Sequence, residues 1–239
     1  MSGPQCCDNP PTLNPASGSG HVEKLGGLDS YVTGPSYSNR AILLVSDVYG
    51  YEAPNLRKLA DKVAAEGFYV VVPDFIHGDP YAPDNKERPI QVWIKDHGTD
   101  KGFEEAKSVV EALKGKGVSA IGAAGFCWGA KVVVQLAKSG FIQAAVILHP
   151  SFVTVDDIKA VEVPFAILGA EVDQLSPPTL VKQFEEVLNT KPEIEHHVKI
   201  FPKVVHGWTV RYNVEDENAV KCANEAHADM IEWFTKHVK

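Results

Sequence analysis

Cys127 stands between two glycines in the stretch Gly125-Phe126-Cys127-Trp128-Gly129. This Gly-x-Cys-x-Gly spacing suits a nucleophile raised on a tight strand-to-helix turn, where the residues two before and two after must be small. Sulfur at that place asks for a thiolate, and the N-terminus of the following helix favours one. The chemistry then needs a histidine to hold the thiol proton and a carboxylate to fix the imidazole tautomer. His206, followed by Gly207-Trp208, and Asp173, four residues after Gly169, fill those roles in the order nucleophile, acid, histidine. The backbone N–H groups of Trp128 and Val48 are the candidates for meeting a developing oxyanion. Rivals exist. His149 ends an apolar run, His196 and His197 begin one, and Glu171 stands two residues before Asp173. Asp173 is preferred because the stretch after Gly169 leaves room for a turn to present the shorter side chain. Asp156 and Asp157 read as residues opening a short helix.

The elements that position these groups read as alternating strands and helices. Apolar runs at Ala41–Ser46, Phe68–Pro73, Ala120–Phe126, Ala144–His149, Val163–Leu168 and His197–Phe201 have the character of strands in a mostly parallel sheet. Leu28–Thr33 reads as a short edge strand. Helices are expected over Asn55–Glu66, Lys101–Lys114, Gly129–Lys138, Pro177–Leu188 (capped by Ser176) and Asn218–His237, with one turn near Ile90–Lys95. Residues 1–24 read as an irregular lead-in across the surface, and residues 25–239 as one doubly wound domain. In such sheets ligands bind beyond the carboxyl ends of the strands, which is where Cys127, Asp173 and His206 fall.

Composition sets limits. The 239-residue chain carries 23 Lys+Arg against 31 Asp+Glu, a net charge of −8, which argues against nucleic acid or an anionic membrane surface as partner. Its four cysteines, Cys6, Cys7, Cys127 and Cys222, make neither a disulfide framework nor a zinc-binding spacing, and neither metal nor cofactor is expected. No apolar leader or membrane-span-length run is present, so the expected setting is cytoplasmic. The chain is expected to act as a monomer or weak homodimer on a small molecule.

The elbow Gly125-Phe-Cys-Trp-Gly129, with Asp173 and the His206-Gly207-Trp208 segment, resembles the dienelactone hydrolase family of α/β-hydrolases over roughly residues 25–239. The resemblance implies the α/β-hydrolase fold and a Cys-Asp-His triad acting on ester or lactone carbonyls without a cofactor. It also implies an acidic residue after the third strand holding the resting thiol; Asp47 stands there, where the family is expected to carry glutamate. Bacterial members use arginines to hold a substrate carboxylate, and Arg211, five residues after His206, is the one arginine near the expected site loops. Tyr49, after the oxyanion loop, and Trp208, with Trp128, are expected to make an aromatic wall around an apolar pocket with one anion-binding corner at Arg211; the alternative for Arg211 is a surface pair with Glu215 or Asp216. Cys6-Cys7 and Asn9-Pro-Pro11 resemble plant members, some named endo-1,3;1,4-β-glucanase. That chemistry would place two carboxylates, Asp47 with Asp173 or Glu171, across a glycosidic bond at roughly 5–9.5 Å, and leaves a cysteine elbow without a use. A third reading is a ligand-binding protein on the same fold that has lost turnover.

Overall fold

The computed structural model describes residues 7–239; the expectation for Cys6 lies outside the described residues. Eight strands form one sheet: β1 (His21–Leu25), β2 (Leu28–Thr33), β3 (Arg40–Val45), β4 (Tyr69–Pro73), β5 (Ala120–Phe126), β6 (Ala144–Leu148), β7 (Phe165–Val172) and β8 (His196–Val205). Their order is β1-β2-β4-β3-β5-β6-β7-β8, with β2 antiparallel to both its neighbours, β1 and β4, and the remaining pairs parallel. The α/β-hydrolase fold read from the sequence is the fold observed.

Seven helices flank the sheet: α1 (Pro54–Ala64), α2 (Ile90–Asp96), α3 (Thr99–Gly115), α4 (Trp128–Ala137), α5 (Val155–Lys159), α6 (Pro178–Asn189) and α7 (Glu217–His237). Period-two alternation sorts the strand residues between two cores. Ala41, Leu43 and Val45 join the core under α3, α4, α5 and α6. Ile42 and Leu44 join the one under α1 and α7. The central strands are buried on both faces, which is why they read as unbroken apolar runs. Among the described residues no helix is long and apolar enough to cross a membrane.

Four expectations are corrected. Residues 21–24 belong to a strand rather than to an irregular lead-in, since His21–Leu25 pairs antiparallel with Leu28–Thr33 around Gly26 and Gly27, both at positive φ. Leu28–Thr33 is therefore not an edge strand. Its own alternation shows one buried face, but nothing local marks the polar segment His-Val-Glu-Lys-Leu that covers it. Ser176 does not cap α6; Pro177 holds the cap position with no side-chain bond, and Ser176 serves Asp173 instead. The N-cap of α5 is Thr154 rather than Asp156 or Asp157, and Asp157 is the other member of its capping box.

The last two strands also run further than the apolar runs suggested. β7 extends to Val172 and β8 to Val205, and after an irregularity at Ala170/Val172 these two residues are partners across the ladder. Asp173 and His206 are thus the first residues beyond a matched pair of strand ends. Their meeting follows from register.

Candidate active site

Cys127 is the residue between β5 and α4, with φ 51° and ψ −109°. A non-glycine residue held in that region costs on the order of 1–3 kcal/mol, so surrounding contacts must impose it. They do. The Cys127 N–H donates to the Leu148 carbonyl (3.2 Å), while its own carbonyl accepts from Ala130 (3.2 Å) and Ser151 (3.0 Å). A Cβ on Gly125 would stand 2.4 Å from the Gly129 carbonyl oxygen, and one on Gly129 would stand 2.2 Å from that of Val45. Both positions can only be glycine, which is the physical content of the Gly-x-Cys-x-Gly spacing.

His206 is almost fully buried, and its Nδ1 lies 2.7 Å from Asp173 Oδ2. Asp173 is held in turn. Its Oδ1 accepts from the N–H groups of Leu175 (2.8 Å) and Ser176 (3.1 Å), and its Oδ2 accepts from the Ser176 hydroxyl (3.2 Å). Burial alone would push this carboxyl up, but His206 and these N–H donors hold it below the usual carboxylate range. Burial likewise works against a charged imidazole, yet the Cys127 thiolate and the Asp173 carboxylate outweigh it and raise His206 to about 9. Its Nε2, the nitrogen left for the nucleophile, is buried, and a hydrogen bond with Cys127 is among the interactions that raise the imidazole. Glu171 is elsewhere: it is exposed, and its Oε2 accepts from the backbone N–H of Lys203 (2.7 Å).

Asp47 follows β3 by two residues and is buried, with Oδ1 accepting from Tyr49 N–H (2.9 Å) and Oδ2 3.2 Å from Arg211 Nε. Burial raises its carboxyl, against the pull of Arg211, the Tyr49 N–H and His206. Arg211 is therefore paired with Asp47 and not with Glu215 or Asp216. Its guanidinium also packs 2.3–2.5 Å from where a Gly207 Cβ would be and donates from Nη1 to the Asp8 carbonyl (2.6 Å). Tyr49 donates its hydroxyl to the Cys7 carbonyl (2.6 Å). Residues 7 and 8 thus lie over two of the residues expected to touch substrate. Removing one member of a buried ion pair strands the other charge, at a cost of about 3–5 kcal/mol. Arg211→Ala is accordingly expected to lower the urea-unfolding free energy by that amount and to slow neutral and anionic esters alike; a selective loss for anionic esters at full stability would instead make the arginine a substrate contact.

The two tryptophans differ in role. Trp128 opens α4, so its N–H is one of the helix's unbonded donors, but its indole is fully buried, with Nε1 donating to the His97 carbonyl (2.9 Å) and the ring against Gly102. It lines neither of the two cavities that follow. Trp208 borders the first, of about 1340 Å³, with Arg211, Val204, Val210 and Tyr212. A second cavity, about 460 Å³, is bordered by Tyr49, Tyr51, Glu52 and Asp74. Cys127, Asp173 and His206 line neither. Val48 is buried in the loop after β3, and its carbonyl accepts from the Tyr81 N–H (2.9 Å).

Two residues here carry more than sequence reasoning assigned them. His149 Nε2 bonds the Thr209 hydroxyl (2.7 Å), and its ring stands edge-on to His206 (centroids 5.0 Å) and to Trp208 (5.3 Å). Burial, then the charges of His206 and Arg211, hold it far below the ordinary histidine value, so it is neutral. Ser151 Oγ lies 3.4 Å from Cys127 Sγ. The pairing of β5 with β6, Phe126 opposite Leu148, is what places the residues after Leu148 beside Cys127.

Comparisons with known proteins bear on the fold and the family. A protein named endo-1,3;1,4-beta-D-glucanase from Zea mays is 43% identical over 196 residues, 80% of this chain, which spans 63% of that protein's length. A carboxymethylenebutenolidase homolog from Xenopus tropicalis is 32% identical over 88% of each chain. A dienelactone hydrolase candidate from Klebsiella pneumoniae superposes with a TM-score of 0.72 at 19% identity, covering 88% of this chain and 93% of its own. A dienelactone hydrolase-like promiscuous phosphotriesterase from metagenomic libraries superposes with a TM-score of 0.69 at 17% identity, covering 91% and 97%. Residues 28–238 match the dienelactone hydrolase family itself, and the chain belongs to that family of hydrolases.

Proposed function

We propose that the protein hydrolyses small esters or lactones through a Cys127 thiolate, with His206 as proton carrier and Asp173 as its support. The observation that carries this reading is the raised His206 beside Cys127, held by Asp173 at 2.7 Å. The thiolate attacks the carbonyl carbon, and the carbonyl oxygen takes the negative charge facing the N–H groups of Trp128 and Val48. The carbon–oxygen bond to the leaving alcohol breaks as His206 gives its proton to that oxygen, leaving a thioester. Neutral His206 then takes a proton from water, whose oxygen attacks the thioester; collapse releases the carboxylic acid and restores the thiolate with imidazolium.

The site favours neutral acyl groups. Arg211 is paired with Asp47, and its Nη1 and the Tyr49 hydroxyl each donate to a backbone carbonyl, of Asp8 and Cys7. The name of the maize relative makes mixed-linkage glucan the second substrate class to test. Against it, Asp47 and Asp173 are each tied to a cationic partner and buried, which leaves neither free to protonate a glycosidic oxygen. A panel of neutral aryl esters, lactones and mixed-linkage glucan given to the native chain separates the readings. Turnover of esters or lactones without release of reducing sugar supports the hydrolase. Reducing sugar with no ester turnover overturns it, and binding without turnover of any member does the same in favour of a non-catalytic protein.

A further inference from the structure

Resting on the cysteine-nucleophile reading, we propose that Ser151 is a catalytic residue, whose hydroxyl donates a hydrogen bond to the Cys127 thiolate and keeps it ionised before substrate arrives. The two atoms are 3.4 Å apart and both side chains are buried, so no solvent competes for the bond. A thiolate has no proton to give, so in the charged state the hydroxyl must be the donor.

The hydroxyl is fixed by its backbone. Ser151 N–H donates to the Cys127 carbonyl (3.0 Å), tying the two residues main chain to main chain as well as side chain to side chain. Two residues upstream, His149 N–H donates to the Leu168 carbonyl (2.9 Å) at φ 36°, and its imidazole is bonded to Thr209. Pro150 between them has no N–H to compete and a fixed φ. The stretch His149-Pro150-Ser151 is therefore a rigid bracket from the end of β6, reaching the nucleophile with one residue and the His206 loop with the other.

The charged and titratable groups around Cys127 come from four sides. His206, backed by Asp173, arrives from the ends of β8 and β7; Asp47 with Arg211 arrives from the loop after β3 and the His206 loop; His149 and Ser151 arrive from β6. The α4 N-terminus adds its dipole. Of these, His206 must move its proton during turnover, and His149 is neutral. Ser151 offers the sulfur a side-chain donor that need not ionise. The bond is strongest on the resting thiolate and weakens once the sulfur has become a neutral thioester, so it sets the ionisation of the enzyme rather than the collapse of the intermediate.

The test is a thiolate titration, read as the ultraviolet absorbance difference between each variant and the same variant carrying Cys127→Ala, which removes the contribution of the other cysteines and needs no reagent to enter the site. Ser151→Ala is expected to raise the Cys127 midpoint by about one pH unit, and Ser151→Thr to restore it. The acid limb of kcat/KM should move with the midpoint. At the fully ionised plateau the less stabilised thiolate is the better nucleophile, so turnover there should rise by about threefold. An unchanged midpoint in a Ser151→Ala protein that melts like the native one overturns the proposal. So does a uniform loss of activity at every pH, which would mark Ser151 as structural. The two readings fail separately: Cys127→Ala that still hydrolyses esters removes the hydrolase mechanism, while the titration decides the serine's contact with the thiolate either way.

Discussion

Cys127→Ala is expected to remove ester hydrolysis by on the order of 10³-fold or more while leaving the fold in place, because members of a nucleophile–base unit do not act singly. The substitution deletes one buried sulfur atom and nothing of the backbone that holds it. The main-chain bonds from Cys127 to Leu148, Ala130 and Ser151 survive. The lost packing corresponds to roughly 1 kcal/mol of stability, so the melting temperature should fall by only a few degrees. Cys127→Ser is the companion variant. Its hydroxyl does not ionise beside an imidazolium as a thiol does, so it should also be slow, and an active serine variant would argue for a site built for general-base catalysis. An alanine variant retaining near-native turnover sinks the assignment of the nucleophile altogether.

What was legible in the sequence, and what was not, follows from the range over which each feature is specified. Cys127 was legible because its requirements are local: two glycines within two residues, forced by backbone carbonyls that a Cβ would strike. The buried strands were legible because burial on both faces leaves an apolar run. His21–Leu25 was not, since its identity as a strand comes from pairing with Leu28–Thr33. Asp173 was chosen over Glu171 on chain geometry, and the structure brings Asp173 and not Glu171 to His206, through the partnership of Val172 with Val205 that no local pattern announces. Ser176 looked like a cap because serine before proline usually is one; tertiary demand from Asp173 claimed its hydroxyl. Trp128 looked like a pocket wall because it adjoins the nucleophile, but a residue at the first position of a helix can turn its side chain into the core while its N–H faces the site. Ser151 and His149 carried no sequence signal beyond position, as their relevance depends on the β5–β6 register.

Asp173→Asn is expected to lower kcat by on the order of 10³- to 10⁴-fold, and the hydrogen bonds around the carboxylate say why. Oδ1 is claimed by two donors, the N–H groups of Leu175 and Ser176, so an asparagine placed here keeps its oxygen on that side. Its amide NH₂ then faces His206 Nδ1, which must become an acceptor, and the ring proton is moved to Nε2. That tautomer cannot take a proton from Cys127. Glu171→Gln should be mild, because Glu171 serves only the Lys203 N–H at the surface. The variant also has a pH signature. Asp173 titrates below its ordinary value, so its contribution to stability is present above about pH 3.9 and is lost as pH falls further. His206 titrates above its ordinary value, so its contribution is full below about pH 6.5 and is lost as pH rises through about 9. The difference in melting temperature between native and Asp173→Asn proteins should therefore be widest between about pH 4 and 6.5 and shrink towards pH 9. A gap that grows with rising pH, or a Glu171→Gln variant that loses as much activity as Asp173→Asn, would overturn the choice of acid.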